Sequence, residues 1–209
     1  MDAETWNDRY SGAELVWGTE PNRYVAAELA DAPPGRALDV ACGEGRNAIW
    51  LATRGWQVTG VDFSSAGLSR AARLAERAGV AGRVSFQLAD VVTGPLPGGP
   101  FDAVVVAYLQ LEAPRRRAAL RKSAEVVAPG GTLLVVGHDS SNLTEGTGGP
   151  QDPRVLFTPQ DVTADLADLP GLAVDKAERV RRPVPGAGRD AIDALVRIRR
   201  EPDRGRGAG

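Results

Sequence analysis

The chain has 209 residues, 43% hydrophobic and 25% charged, with a formal net charge of −2. This composition excludes a disordered or fibrous protein, and the charge balance speaks against a general nucleic-acid binder, which presents a basic domain. At this length one domain is expected, burying roughly 70% of the unfolded surface, and no run of about 18 apolar residues is present to cross a membrane. The acidic start Met1-Asp2-Ala3-Glu4 carries no signal-like segment, and Cys42 is the single cysteine, so no internal disulfide can form. A cytoplasmic protein, monomer or homodimer, is the expectation.

The opening segment is aromatic-rich, with a helix expected from Pro21 through Tyr24, Val25 and Leu29 until Pro33-Pro34-Gly35 stops it. Strands and helices then alternate. Residues 37–41, 57–61, 84–88 and 103–107 read as short apolar strands, the last buried on both faces. Residues 47–54 and 66–78 carry helical spacing, and 115–128 form a helix that Pro129-Gly130-Gly131 ends. A fifth strand covers 132–136, followed by a Gly/Pro/Asn-rich loop over 139–157, longer than an ordinary connection. Thr158 is the expected N-cap of a helix over 158–169, with Pro159 at its first position. Strands over 172–180 and 192–198 complete the pattern, and 200–209 read as a disordered tail. Helical crossovers imply a parallel, doubly wound sheet, while the short irregular link before the last strand suits an antiparallel one.

In such a sheet ligands lie beyond the carboxyl ends of the strands. Asp39, Asp62 and Asp90 fall at the ends of the first three strands, Tyr108 after the fourth and His138 after the fifth. Gly43 and Gly45 allow close backbone approach, and Gly43–Ala48 satisfies the G-x-G-x-x-G/A pattern of dinucleotide folds, with Asp62 placed 19 residues after Gly43. However, a carboxylate at Asp39 is awkward beside a pyrophosphate and suits an ammonium. Asp62 suits a ribose diol and Asp90 an adenine amino group. A ligand with these three groups and no phosphate is S-adenosylmethionine.

The segment from Leu38 to Ser64, with "VDFS" and "ADV" in order after the glycine turn, resembles the cofactor motifs of class I S-adenosylmethionine-dependent methyltransferases. "GRNAIWLA" and the leader "W..RY......WG..PN" narrow the likeness to bacterial small-molecule enzymes of the tellurite-resistance and thiopurine type. The resemblance implies a three-layer Rossmann-like α/β fold: a seven-stranded, mostly parallel sheet with an antiparallel last strand. Residues 1–199 would be one methyltransferase domain, with 1–35 a lid over cofactor and substrate and 36–199 the core. It makes Asp62, with Phe63 beside it, the ribose site, and Asp90 with the Val91 amide the adenine site. Gly43 and Gly45 would flank the methionine end and Asp39 face its amine, although Asp39 could instead brace the glycine loop. Trp6, Arg9, Tyr10 and Trp17 become lid residues, with Arg9 able to meet the methionine carboxylate, and Tyr108 lines the cofactor site. Ala41 stands where the family has its first glycine, a place alanine fits with a negative φ.

The implied reaction is methyl transfer to the O, N or S atom of a small-molecule acceptor, leaving S-adenosylhomocysteine, with His138 as the base or orienting group on the acceptor side. No metal, nucleic-acid or membrane partner is expected. Cys42 reads as packing, and Arg115–Arg117 and Arg181-Arg182 as solvated faces. Two rivals remain: a non-catalytic cofactor-binding protein and a nicotinamide-dependent dehydrogenase. The Y-x-x-x-K form of the latter fails, because Tyr10, Tyr24 and Tyr108 are followed four positions on by Glu14, Glu28 and Glu112.

Overall fold

The computed structural model describes residues 3–12 and 14–202. Two helices, α1 (Ala3–Ser11) and α2 (Arg23–Glu28), precede β1 (Arg36–Val40). Then come α3 (Arg46–Thr53), β2 (Gln57–Asp62), α4 (Ser65–Arg77), β3 (Val84–Leu88) and β4 (Phe101–Ala107). The second half holds α5 (Ala113–Glu125), β5 (Val127–His138), α6 (Asn142–Glu145), α7 (Pro159–Leu166), β6 (Leu172–Arg182) and β7 (Ala191–Arg200).

The seven strands form one sheet in the order β3-β2-β1-β4-β5-β7-β6. Strands β1 to β5 pair in parallel, and β7 runs antiparallel to both β5 and β6. Strand order reverses between β1 and β4, which opens the crevice where ligands bind in such sheets. The β7 insertion between β5 and β6 also departs from the 3-2-1-4-5-6 order of dinucleotide-binding folds.

Alternation along the central strands sends side chains to two faces. Leu38, Val40, Val104, Val106, Leu133 and Val135 pack with Leu120 of α5 and with Val162 and Leu166 of α7. Ala37, Ala103, Val105, Leu134 and Val136 pack with Val25 and Leu29 beside α2 and with Ala48 and Leu51 of α3. Each fully buried Leu or Val contributes about 1.5–3 kcal/mol, so helices on both faces hold the sheet edge rigid where the site is built. No helix among the described residues is long and apolar enough to cross a membrane.

Three expectations shift. Pro129-Gly130-Gly131 does not end the helix: α5 stops at Glu125, and the Pro-Gly-Gly run lies inside β5. There the register with β4 slips, from Phe101↔Val127 to Ala103↔Thr132. An irregular strand tolerates the missing proline N–H and the positive φ of Gly130. The 139–157 loop carries α6 and a 3₁₀ turn over Pro153–Val155, anchored by buried Asn142, whose Oδ1 accepts from Ile192 N at 2.7 Å. Strand β7 runs to Arg200, which the expected tail had included; 203–209 of that tail lie outside the described residues. Thr158 caps α7 as expected, and it does so within a capping box: Thr158 Oγ1 accepts from Asp161 N, and the Asp161 carboxylate accepts from Thr158 N.

Candidate active site

Parallel pairing brings Asp39, Asp62, Asp90, Tyr108 and His138 to one edge of the sheet. Between β1 and α3 the chain turns with positive φ at Ala41 (57°), Gly43 (54°) and Gly45 (78°). The condition under which alanine fits here, a negative φ, is not met: the left-handed turn that glycine would accept freely is imposed on an alanine. Tyr108 (59°) is the only other non-glycine residue with positive φ among those described, and the two flank the reversal in strand order. Such strain costs about 1–3 kcal/mol and gathers at functional sites. Ala41→Gly should leave stability within about 1 kcal/mol of the parent, because relief of strain is offset by unfolded-chain entropy. Ala41→Val should cost about 2 kcal/mol or more in urea denaturation, since a β-branched residue resists this conformation. A valine variant as stable as the parent would contradict the strained turn.

The two glycines do different work. A Cβ on Gly43 would sit 2.6 Å from the Tyr10 hydroxyl, on the side where the leader covers the loop. A Cβ on Gly45 would instead meet Ala71 at 2.9 Å and the Phe86 ring at 3.1 Å. Gly45 thus serves close packing of the loop against α4 and β3, and only Gly43 faces the leader.

The three acids are held differently. Asp62 is buried, its Oδ2 accepting from Gly43 N (2.9 Å) and Oδ1 from Ser64 N (2.8 Å). Burial raises its pKa against the lowering effect of those amides. Asp39 is buried with one hydrogen bond, from Ala48 N to Oδ2 at 3.1 Å, so it does brace the start of α3. Burial pushes its pKa up to about 7, against that amide and the charge of Arg46. Asp90 is half-buried. Desolvation works against its charge, but the Val92 amide, Thr93 and Arg115 hold its carboxyl below the usual range. The Val91 side chain is buried in the core, which leaves only its backbone to a ligand, while Phe63 is half-buried beside Asp62. Cys42 is buried, and desolvation drives its thiol pKa well up, as a packing residue requires.

The leader lies over this loop, with α1 packed on α4. Trp6 stacks on Tyr10 at 5.3 Å and meets Trp17 at 6.2 Å, and Trp17 Nε1 lies 3.3 Å from the Tyr10 hydroxyl. Tyr10 is buried, which raises its pKa, whereas Trp17 is exposed. Arg9 is exposed, its guanidinium resting 5.1 Å from the Trp6 ring and 5.7 Å from that of Trp17.

What ties the leader down is Glu44, the residue between the two glycines. Its buried carboxylate accepts from Val16 N (2.9 Å), Trp17 N (3.3 Å) and Arg70 Nη1 (2.8 Å), and Arg70 also donates to Gly12 O. Asn7 Oδ1 accepts from Ser64 Oγ at 2.7 Å and closes the other end. Breaking a buried ion pair ordinarily costs about 3–5 kcal/mol; here release of the leader caps that cost. Glu44→Ala should therefore speed proteolytic cutting before Pro21 while the core keeps its unfolding midpoint. Unchanged cleavage would mean that Glu44 does not hold the leader.

On the far side, His138 at the end of β5 faces Asp193 of β7 across the register, with Nδ1 3.2 Å from Asp193 Oδ1 but off the line of a good hydrogen bond. Asp193 Oδ2 accepts from the Tyr108 hydroxyl (2.8 Å) and Arg182 Nε (2.8 Å), and the Tyr108 and His138 rings lie 4.9 Å apart. Desolvation raises the Asp193 pKa, yet the contacts from His138, Arg182 and Tyr108 outweigh it and leave the group below its usual value. The remaining ring edge of His138 abuts Gly149. Gln110 joins the two loops here, accepting from His138 N (2.8 Å) and donating to Val155 O (2.6 Å).

Two arginine readings are corrected. Arg182 is not a solvated face but a partner of Asp193, and Arg116 is buried, paired with Asp165 at 2.7 Å and lying over Phe157. Asp193 was missed, although a lone acid in the apolar run "AIDALV" is a signal that could have found it. Glu44 and Arg70 left no such signal, because acids and arginines at exposed helix ends and turns are common.

The comparisons agree with this geometry. Residues 37–131 match the methyltransferase-domain family. The chain is 33% identical over 132 residues to O-methyltransferase resE of Aspergillus sclerotiorum, covering 62% of this chain and 50% of that protein. It is 39% identical over 128 residues to demethylmenaquinone methyltransferase of Thermus thermophilus, covering 60% and 55%. The chain thus spans about half the length of these curated relatives. The N-methyltransferase NodS of Bradyrhizobium japonicum, solved with S-adenosylhomocysteine, superposes with a TM-score of 0.72 over 95% of this chain and 97% of that one, at 18% identity. At that identity the likeness carries the fold. Matched domain, sheet order and strand-end acids together make the chain similar to the class I S-adenosylmethionine-dependent methyltransferases.

Proposed function

We propose that this chain transfers the methyl group of S-adenosylmethionine to a small-molecule acceptor. The observation that carries the reading is the set of three acids at the ends of β1, β2 and β3, grouped around a left-handed loop at the reversal of strand order. The donor set fits the cofactor: Asp62 for the ribose hydroxyls, Asp90 and the Val91 amide for adenine, Asp39 and Gly43 for the amino-acid end. When bound, the cofactor supplies an electrophilic methyl group on a sulfonium. The protein's part is to align an acceptor atom with that methyl and to exclude water, effects worth about 7–11 kcal/mol in favourable cases. Trp6, Tyr10 and Trp17, latched by Glu44, would close the leader side and offer aromatic faces to a cation. His138, oriented by Asp193, would take a proton from a hydroxyl acceptor, whereas a thiol or heterocyclic nitrogen would need little help. Relatives named as O- and N-methyltransferases support oxygen and nitrogen acceptors. We place the enzyme in the cytoplasm as a monomer or homodimer.

Calorimetric titration of the full chain with S-adenosylhomocysteine and with NAD tests this reading. Saturable binding of the former alone is expected, and binding of NAD alone would overturn it. A mass-spectrometric screen of phenols, heterocyclic amines, thiols and oxyanions would then show which acceptor gains a methyl group. Failure of every acceptor despite tight cofactor binding would favour the non-catalytic reading.

A further inference from the structure

Arg182 ends β6, the outer strand of the sheet, yet its head group meets Tyr108, which directly follows the central strand β4. Strands β5 and β7 stand between β4 and β6, so three strand spacings, roughly 14 Å, separate the two backbones. The Arg182 side chain therefore reaches inward across the carboxyl edge of the sheet instead of out to solvent. Its Nε alone does the holding, donating to Asp193 Oδ2 at 2.8 Å and to the Tyr108 hydroxyl at 3.0 Å. Neither Nη donates to any of the described residues, although the side chain is only 26% exposed. Arg70, which latches the leader, spends both of its Nη groups inside the protein. Asp190, in the loop that adjoins Arg182, forms no ion pair among the described residues. A counter-charge for buried Asp193 needs no more than one nitrogen, which a lysine would supply. The far end of the guanidinium is left over, and its two nitrogens match the two oxygens of a carboxylate in parallel bonds.

The surroundings place that free end in the cleft. His138 stands on one side, its Nδ1 facing the other oxygen of Asp193 and its ring 4.9 Å from that of Tyr108. On the other side is the glycine loop, near enough that the charge of Arg182 acts on Arg46 at the start of α3. We propose that Arg182 selects acceptors that carry a carboxylate, gripping it with the free end of the guanidinium while the reacting atom of the same molecule lies towards His138. The proposal rests on the methyltransferase reading and gives its acceptor a class, the small carboxylic acids. The strained backbone of Tyr108 fits this role: it turns the hydroxyl onto Asp193 and sets the ring 5.6 Å from the guanidinium, beside the imidazole.

The experiment measures calorimetric binding of matched acids and amides to the full chain, with and without S-adenosylhomocysteine: benzoate and benzamide, salicylate and salicylamide, indoleacetate and indoleacetamide. At least one acid is expected to bind the parent tenfold or more tightly than its amide. Arg182→Gln should bring that ratio within threefold and leave S-adenosylhomocysteine affinity within threefold of the parent. Arg182→Lys, which keeps the charge beside Asp193 but not the fork, should recover only part of the preference. It also serves if the glutamine variant does not fold. A parent that binds amides as tightly as acids, or binds no acid, overturns the proposal. Equal weakening of acid and amide in Arg182→Gln overturns it too, since Arg182 would then only brace Asp193, and so does full recovery of the preference by lysine. Failure of the parent to bind S-adenosylhomocysteine would sink the methyltransferase reading, a result separate from the acid-to-amide ratio of the unloaded chain.

Discussion

Asp62→Ala is expected to weaken S-adenosylhomocysteine binding by a factor on the order of 10²–10³, the equivalent of about 3–4 kcal/mol. Two losses combine. The carboxylate is the proposed acceptor for the ribose hydroxyls, and hydrogen bonds to a charged group contribute about 1.5–3 kcal/mol each. The same carboxylate holds the glycine loop in shape through Gly43 N and Ser64 N, so alanine leaves both amides without their partner. The fold should survive with a stability loss of about 1–3 kcal/mol, because β2 is also held by pairing with β1 and β3. Calorimetry and circular dichroism on the same sample separate the two effects. A folded variant whose dissociation constant stays within threefold of the parent would remove Asp62 from the cofactor site.

The second large effect concerns Asp39 and pH. Its folded-state pKa of about 7 lies above the value of 3.8 for an exposed side chain, so the folded protein binds the proton more tightly than the unfolded one. The protonated group's contribution is fully present below about pH 4 and is lost as pH rises to about 7. At about 1.4 kcal/mol per tenfold in proton affinity, an ionised Asp39 costs the folded chain on the order of 4 kcal/mol above that range. Asp39→Asn retains an oxygen to accept from Ala48 N and removes the ionisation. The variant should therefore be more stable than the parent at pH 8, by on the order of 2 kcal/mol after repacking losses of about the same size, and less stable than the parent near pH 4 by those losses alone. Urea denaturation across that range checks the result, and parallel pH profiles for the two proteins would refute it. The same proton links to function. An incoming ammonium favours the ionised carboxylate, so binding of S-adenosylhomocysteine near pH 6.5 should release a proton from the parent and none from the asparagine variant. Titration in buffers of different ionisation enthalpy reads that release directly.

These expectations show how a destabilised group marks this site. Asp39 is buried with one amide for company, Ala41 and Tyr108 hold strained backbone, and half-buried Arg46 makes no hydrogen bond or ion pair among the described residues. All four lie at the carboxyl edge of β1 and β4, where the sheet reverses. A chain optimised for folding alone would carry asparagine at the first of these positions and an uncharged residue at the last.

The periodicity of apolar residues was enough to read the central strands, and turn chemistry was enough to cap α7, because both depend on residues close in the chain. The spacing of Asp39, Gly43, Asp62 and Asp90 was legible for the same reason: each lies in the last residues of a strand or just after one, and those strand ends are visible locally. Pro129-Gly130-Gly131 misled because a break in helical pattern looks the same whether a loop or an irregular strand follows.

What the sequence by itself determined is the alternating α/β architecture, the antiparallel last strand and the identity of the strand-end acids. Only the tertiary structure decided which charges meet: Glu44 with the leader 27 and 28 residues away, Asp193 with Tyr108 85 residues away, and Arg116 with Asp165 49 residues away. Pattern along a chain reports backbone geometry and burial. The partner of a charge is set by which strand ends are brought side by side, and that depends on the order of strands in the sheet.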